Sequence, residues 1–489
     1  MIFQQHSLYR KLLLLGLLVQ LIAAWFSLGY NQCDEHFQVL EFCNYKLGLS
    51  PATDLPWEFA AHCRSALQPF VAYIISKALL ILNLYNPFWV SFIMRLIMGI
   101  ATWLLTCRVV ILMLPQFTTE KGKQVYVWCS FLLWFIPYIG VRFSAENIAG
   151  LLFLTALTLL PGLLAANSYK RYFKIIVAGI LLGFALMIRL QMAFAFIPLI
   201  IWIIVYAKWP LKNWLVVILS GLVAIGLAVL ADKWLYGAWV FSPYNYYRVN
   251  IVQHVADNYG TSPWWYYLKL FFDYAVPPIS YFLLPLFLIG LWKNPRHLFS
   301  WICIVFILGH SVIGHKEIRF LLPLIFPLIF LACQGFDLLL KQYPAKKIFR
   351  WALPILAGFN IALLSVKIFM PAHEAFAYYK FMYNFAQKQP ATLVSFETSP
   401  YHILGLEINF YKPKNMNIEV VHSTHELDTI LKRTNGRAVI FVDPKIDPTP
   451  FIAGYKKTKV YCLVPDWIHL FNVNNWISRS YIWTVYRLK

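Results

Sequence analysis

Apolar and polar residues along this chain segregate into long blocks. Apolar runs occupy positions 12–28, 88–114, 125–139, 148–164, 175–188, 192–206, 214–230, 279–291, 298–312, 320–340 and 351–370. Several are shorter than the ~20 residues that hydrocarbon requires, so their ends must take in flanking aromatic and polar residues. The pattern predicts an all-α polytopic membrane protein with about eleven transmembrane helices. The triplet Arg189-Leu190-Gln191 interrupts two of the runs, and the pattern alone leaves two helices or one long bent one. A further apolar run at 67–84 reads as a helix lying on the membrane, with a span as the alternative. After Met370 the blocks shorten. Runs at 391–396, 438–442 and 460–464, with a helical stretch at 423–433, predict a small α/β domain over 371–489 behind a membrane domain over 1–370.

Composition supports this class. Of 489 residues, 60% are hydrophobic and 13% charged, with a mean hydropathy of +0.62. That excludes an ordinary soluble enzyme. Basic residues fall in alternate connections: Arg10 and Lys11, Lys121 and Lys123, Lys170 to Lys174, Lys208 and Lys212, Lys293 and Arg296, and Lys341 to Arg350. By the positive-inside rule these face the cytoplasm. The opposite connections, including the first external loop at 30–87, are then non-cytoplasmic. The basic N-terminus followed by an apolar core reads as a retained first helix, because Trp25 and Phe26 stand where a small-residue cleavage site would be. The net charge of +21 fits anionic lipid headgroups, and no nucleic-acid motif appears. Cys33, Cys43 and Cys63 share the first external loop, where a disulfide or buried free thiols are both open. No Asn-x-Ser/Thr sequon occurs, which leaves a bacterial inner membrane open beside the endoplasmic reticulum.

The polar residues worth chemistry lie on the non-cytoplasmic side. The first external loop carries Asp34-Glu35-His36, then Trp57-Glu58 and Arg64-Ser65. Glu35, Gln38 and Glu41 recur at helical spacing, which predicts a short amphipathic helix with its polar face over a site. A second group is His315-Lys316-Glu317-Ile318-Arg319-Phe320. Four ionisable residues at the mouth of an apolar helix are costly unless they meet water or an anion. Lys316 and Arg319 would share a helix face and, with His315, clamp a phosphate. A third stretch, from Asp232 to Tyr267, is dense in aromatics and includes Asn245, Arg248 and Tyr259. It suits an interfacial belt or sugar recognition, and composition does not choose between them.

Together, the DE, WE and RS elements and the HKExRF segment resemble glycosyltransferase family 22. These are the dolichyl-phosphate-mannose-dependent mannosyltransferases of GPI-anchor and N-glycan assembly. The aromatic stretch from Tyr236 to Trp265 resembles most closely the third mannosyltransferase of GPI synthesis. The resemblance covers roughly 30–330 and departs at Arg189-Leu190-Gln191, where the family has Arg-Pro-Thr. It implies a GT-C fold and transfer of mannose from a polyprenyl-phosphate carrier to a glycan or glycolipid hydroxyl. Such transfer inverts the anomeric centre and, here, forms an α1,2 linkage. On that basis Asp34 is the general base, and Glu35 orients the acceptor or tunes Asp34. His315, Lys316, Arg319 and Arg189 hold the donor phosphate. Glu58, Arg64, Trp57, Asn245, Arg248 and Tyr259 bind acceptor or sugar. No cofactor and no metal are expected, and the partners are the lipid-linked donor, the acceptor and membrane lipid.

Two other classes remain. A GT-C enzyme moving another polyprenyl-linked sugar in bacterial envelope synthesis would share the loop logic. A polytopic transporter would place ionisable residues at mid-membrane and show internal repeats, and the chain shows few such residues and no repeat.

Overall fold

The computed structural model describes residues 7–159, 169–343, 348–434, 438–442, 452, 454–472, 475, 477 and 482–488. The end of the apolar run at 148–164 and the basic residues Lys346 and Lys347 therefore lie outside the described residues. The chain divides into two compact units. One comprises 1–26, 57–71 and 92–370; the other comprises 27–56, 72–91 and 371–489.

The first unit is a helical array. Its elements are α1 (Ser7–Phe26), the start of α2 (Leu67–Ile81), most of α3 (Pro87–Met113), α4 (Glu120–Leu132), α5 (Ala145–Leu159), α6 (Tyr169–Ile188), α7 (Ala193–Trp202), α8 (Leu211–Tyr236), α9 (Ile279–Lys293), α10 (Leu298–Val312), α11 (Ile325–Gln342) and α12 (Ile348–Phe369). Seven segments among the described residues are long and apolar enough to cross a membrane: 7–26, 87–116, 171–188, 190–207, 211–236, 318–342 and 351–369. Four shorter apolar helices, α2, α5, α9 and α10, accompany them. The exposed Leu, Ile, Val and Trp side chains of α1, α8 and α12 fit contact with lipid tails. The buried core runs through α4, α5, α10 and α11.

At two helix junctions the structure corrects one expectation and decides an open alternative. The run at 125–139 is not one helix. α4 ends at Leu132, Leu133 is extended at ψ 128°, and a short helix resumes at Phe135–Gly140. The side chain of Asn360 on α12 stabilises the break. Its Nδ2 donates to the Leu132 carbonyl and its Oδ1 accepts from the Trp134 N–H, both at 2.8 Å. A backbone break inside an apolar core survives only with such partners. The Arg189 triplet also separates two helices. Arg189 is extended at φ −147° and ψ 104°, and a single 3₁₀ turn at Leu190–Met192 then leads into α7.

Close packing places the helices that matter for chemistry. α6 lies against α5 and α8, α9 against α11, and α7 against α10. α5 also packs on the 3₁₀ turn Ile318–Leu324 that precedes α11. Gly150 permits that approach, because a Cβ there would stand 2.7 Å from Pro323 Cα.

The second unit joins the first loop to the C-terminal segment. Residues 34–46 form one irregular helix, with a π turn at Phe37–Glu41 between α turns at Asp34–His36 and Phe42–Lys46. α13 (Ala375–Lys388) leads into a mixed five-stranded sheet of order β4-β1-β5-β7-β6. β1 (Ala391–Phe396) pairs in parallel with β4 (Met416–Val421) and β5 (Ala438–Val442), while β7 (Thr484–Leu488) is antiparallel to both β5 and β6 (Lys457–Cys462). A small hairpin, β2 (His402–Ile403) with β3 (Leu406–Glu407), stands apart from the sheet. α14 (Thr424–Thr434) covers β4 and β5 through Leu427 and Ile430. The helix expected at 423–433 and the three expected strands are all present.

Candidate functional site

The two adjacent carboxylates of the first loop have different surroundings. Glu35 is turned inward at 9% exposure, and its Oε1 accepts the backbone N–H groups of Asn31 at 3.2 Å and Gln32 at 3.3 Å. It fixes the turn that presents its neighbour. Asp34 opens the helix, remains partly exposed, and has the Cys33 thiol 3.6 Å from Oδ1. Of the two, Asp34 is the more exposed.

The expected polar face over a site is not formed. Gln38 and Glu41 are buried with Glu35, because the π turn rotates them into the unit. Glu41 faces the His36 imidazole at 2.9 Å and accepts the Phe410 N–H at 2.9 Å. His36 in turn stacks on Tyr411 with ring centroids 5.6 Å apart. Asn409 donates to Asp54 at 2.8 Å. These polar groups tie the first loop to the segment around 410, a structural use that periodicity cannot reveal. Cys33, Cys43 and Cys63 are free thiols. Cys43 meets the Ser76 hydroxyl at 3.7 Å, and burial raises its thiol to about 12.

In the helical unit, three elements bring ionisable groups together. Glu146 from α5, Arg189 from the α6–α7 junction and Arg319 from the 3₁₀ turn are all buried. Glu146 Oε1 lies 2.6 Å from Arg189 Nη2 and 3.7 Å from Arg319 Nε. The Phe320 ring is flanked by the same two guanidiniums, at 5.3 Å from Arg189 and 5.5 Å from Arg319. Arg319 also donates from Nη2 to Glu317 at 2.7 Å.

His315 and Lys316 are used differently from expectation. Lys316 precedes the 3₁₀ turn, so it shares no helix face with Arg319. Its ammonium donates to the carbonyls of Ser262 at 2.8 Å, Ile313 at 2.5 Å and Gly314 at 3.4 Å. Burial pushes the Lys316 amine below its ordinary value. His315 Nδ1 meets the Gly260 carbonyl at 2.9 Å and Nε2 meets Glu317 at 3.1 Å. The Glu317 carboxylate raises the imidazole above its ordinary value, and the protonated ring can donate to both partners. With Ser262 N–H donating to Gly314 O at 2.9 Å, this segment fastens the loop at 260–262.

The remaining predicted residues form a neighbouring group. Glu58 pairs with Arg64 at 3.5 Å. Tyr246 lies between two cations, with Arg64 5.3 Å and Arg189 5.7 Å from its ring, and its hydroxyl accepts from Gln191 at 2.6 Å. A cavity of about 20 Å³ is lined by Arg64, Ser65, Arg189, Gln191, Ser242 and Tyr246, room for about one water. Trp57 Nε1 donates to Tyr259 OH at 2.8 Å, joining two predicted sugar-binding residues. Asn245 is spent on the His62 carbonyl at 3.2 Å, and Arg248 is exposed and takes part in none of these contacts.

Sequence reasoning missed Glu146 and Gln191, and named Asp232 and Tyr246 only as parts of the aromatic stretch, with no role of their own. Asp232, fully buried, accepts from the Ala66 N–H at 2.8 Å and the Ser242 hydroxyl at 2.6 Å, and so fixes the loop that carries Arg64. A signal existed for Glu146 and Asp232: each is an acidic residue at the edge of an apolar run, which is costly without a partner. Tyr246 and Gln191 carried no such signal.

The chain is 27% identical to the GPI alpha-1,2-mannosyltransferase 3 of Xenopus laevis over 62% of its length and 55% of the relative's. It is 28% identical to the GPI mannosyltransferase 3 of Yarrowia lipolytica over 68% of its length and 62% of the relative's. It thus spans between about half and three-fifths of the length of these relatives. Its fold matches ArnT from Cupriavidus metallidurans bound to undecaprenyl phosphate, with a TM-score of 0.54 at 12% identity over 98% of this chain and 97% of that one. ArnT has a GT-C fold, and this chain shares it. The model of the Alg9-like mannosyltransferase family matches residues 11–416, and the chain belongs to that family.

Proposed function

We propose that this protein is a membrane glycosyltransferase that moves mannose from a polyprenyl-phosphate carrier to a hydroxyl of a glycan or glycolipid. The observation that carries this reading is the buried pair Arg189 and Arg319, which meet at Glu146 beside Arg64 and Tyr246. Guanidiniums present N–H forks that match phosphate oxygens, and buried cations in a membrane protein mark an anionic ligand. The family and the relatives' activity support mannose and an α1,2 linkage.

In the proposed step the acceptor oxygen attacks the anomeric carbon on the face opposite the phosphate, with inversion. The bond from that carbon to the phosphate oxygen breaks, the hydroxyl proton passes to Asp34, and polyprenyl phosphate leaves. Arg189 and Arg319 meet the charge that grows on the leaving phosphate. His315 and Lys316 hold the loop at 260–262 that borders them, and Glu35 holds Asp34. Glu58, Arg64, Trp57 and Tyr259 shape the acceptor side. No cofactor enters the step. The basic residues of alternate connections support a luminal or periplasmic location for this chemistry, in the endoplasmic reticulum or a bacterial inner membrane. By the same rule the segment 371–489 is external.

Membranes carrying the wild-type chain are incubated with radiolabelled polyprenyl-phosphate-mannose, beside Asp34→Asn at equal expression. Transfer that vanishes in the variant supports donor and base together. Equal transfer removes Asp34 from the step, and no transfer from any polyprenyl-phosphate sugar overturns the function.

A further inference from the structure

The buried carboxylate Glu146 has no part in the reaction above, yet it is the point where the two phosphate-facing arginines meet. It sits at 2% exposure in an apolar helix, where an ionised side chain is costly unless it has a purpose. Arg189 reaches it from an extended junction between two helices, and Arg319 reaches it from a 3₁₀ turn. Neither of those backbones is rigid by its own hydrogen bonding in the way an α-helix is. Each guanidinium therefore needs an outside reference to fix its plane.

Glu146 Oε1 supplies that reference for Arg189 as its ion-pair partner at 2.6 Å and lies 3.7 Å from Arg319, which Glu317 holds from the other side at 2.7 Å. Arg189 gives it a single nitrogen, Nη2 at 2.6 Å, and a guanidinium carries five N–H donors. The pairing orients the fork without consuming it. Phe320 fills the space between the two guanidiniums and keeps them in register. The distance from Glu146 to the turn is set by Gly150, one helical turn further along α5, where even a methyl group would press on Pro323.

We infer that Glu146 is a positioning residue: it aligns Arg189 and Arg319 as one phosphate-binding fork for the lipid-linked donor and makes no contact with the donor itself. This rests on the proposed function, since the ligand is the donor phosphate of that reaction.

The test uses the full chain reconstituted in lipid. Donor KM and kcat are measured with polyprenyl-phosphate-mannose, and binding of sugar-free polyprenyl phosphate is followed by tryptophan fluorescence. Glu146→Gln is expected to raise donor KM and weaken polyprenyl phosphate binding by about tenfold or more, and to lower kcat with them, because the same fork meets the leaving charge. Glu146→Asp, which restores the charge, is expected to recover most of the KM. Donor KM and binding unchanged in a folded Glu146→Gln protein overturn the assignment, as does a loss confined to kcat. Removing a buried partner can leave a cation uncompensated and unfold the chain, so Gly150→Ala provides a second test that alters no charge. It shifts α5 from the Pro323 turn and is expected to raise donor KM in the same direction; an unchanged KM there overturns the assignment. A wild-type chain that neither transfers sugar nor binds polyprenyl phosphate overturns the function as well, whereas normal wild-type transfer with unaffected variants overturns only the role of Glu146.

Discussion

The ammonium of Lys316 donates to the main-chain carbonyl of Ser262 at 2.8 Å, so a side chain that the sequence marks as an anion ligand is spent on a neighbouring loop. Two further carbonyls, of Ile313 and Gly314, take its other contacts. An ammonium has three donors, and three acceptors converge on it here. Lys316→Met is expected to loosen the loop at 254–263, read as faster hydrogen exchange of those amides. Lys316→Arg is expected not to restore protection, since a planar guanidinium cannot replace a point donor among three carbonyls. Exchange unchanged in Lys316→Met would return Lys316 to a ligand role.

The loop should also respond to pH through His315. Glu317 raises its imidazole above the ordinary histidine value, so the folded chain binds the proton more tightly than the unfolded one. The stabilisation is fully present below the unfolded value and is lost as pH rises through the raised folded value. Protection of Gly260 and its neighbours, taken relative to the intrinsic exchange rate at each pH, is expected to fall over that interval in wild type and to be flat across it in His315→Gln. A wild-type profile that is equally flat would remove His315 from the clasp.

Asp34 and Glu35 should separate in mutagenesis despite being adjacent. Asp34→Asn removes the accessible base and is expected to lower kcat by about 10²–10⁴-fold with donor KM little changed. Glu35→Gln keeps an oxygen for the Asn31 and Gln32 amides and is expected to lose far less. Steady-state kinetics on both variants checks this, and equal losses would show that the pair acts as one unit.

Asp232 predicts a stability effect remote from the chemistry. In Asp232→Asn an amide group faces donors at Ala66 and Ser242, which leaves buried polar groups poorly matched at about 1–3 kcal/mol. A lower thermal midpoint in detergent, with donor KM raised through the Arg64 loop, is the expected outcome. A wild-type midpoint would mean that the loop has another support.

The membrane class, the position of most helices, the α/β segment after Met370 and the motifs of the first loop and of 315–320 are legible along the chain. These are local properties: a run of apolar side chains commits a segment to hydrocarbon whatever surrounds it, and a motif is read where it stands. The packing of the helices set how the ionisable residues pair. Glu146, Arg189 and Arg319 come from three distant parts of the chain, and nothing in their neighbours announces that one carboxylate oxygen serves both guanidiniums. The fold also turns Glu35, Gln38 and Glu41 inward, because a π turn alters the helical phase that periodicity assumes. Burial and charge pairing act through space, so they become legible only once the helices are packed.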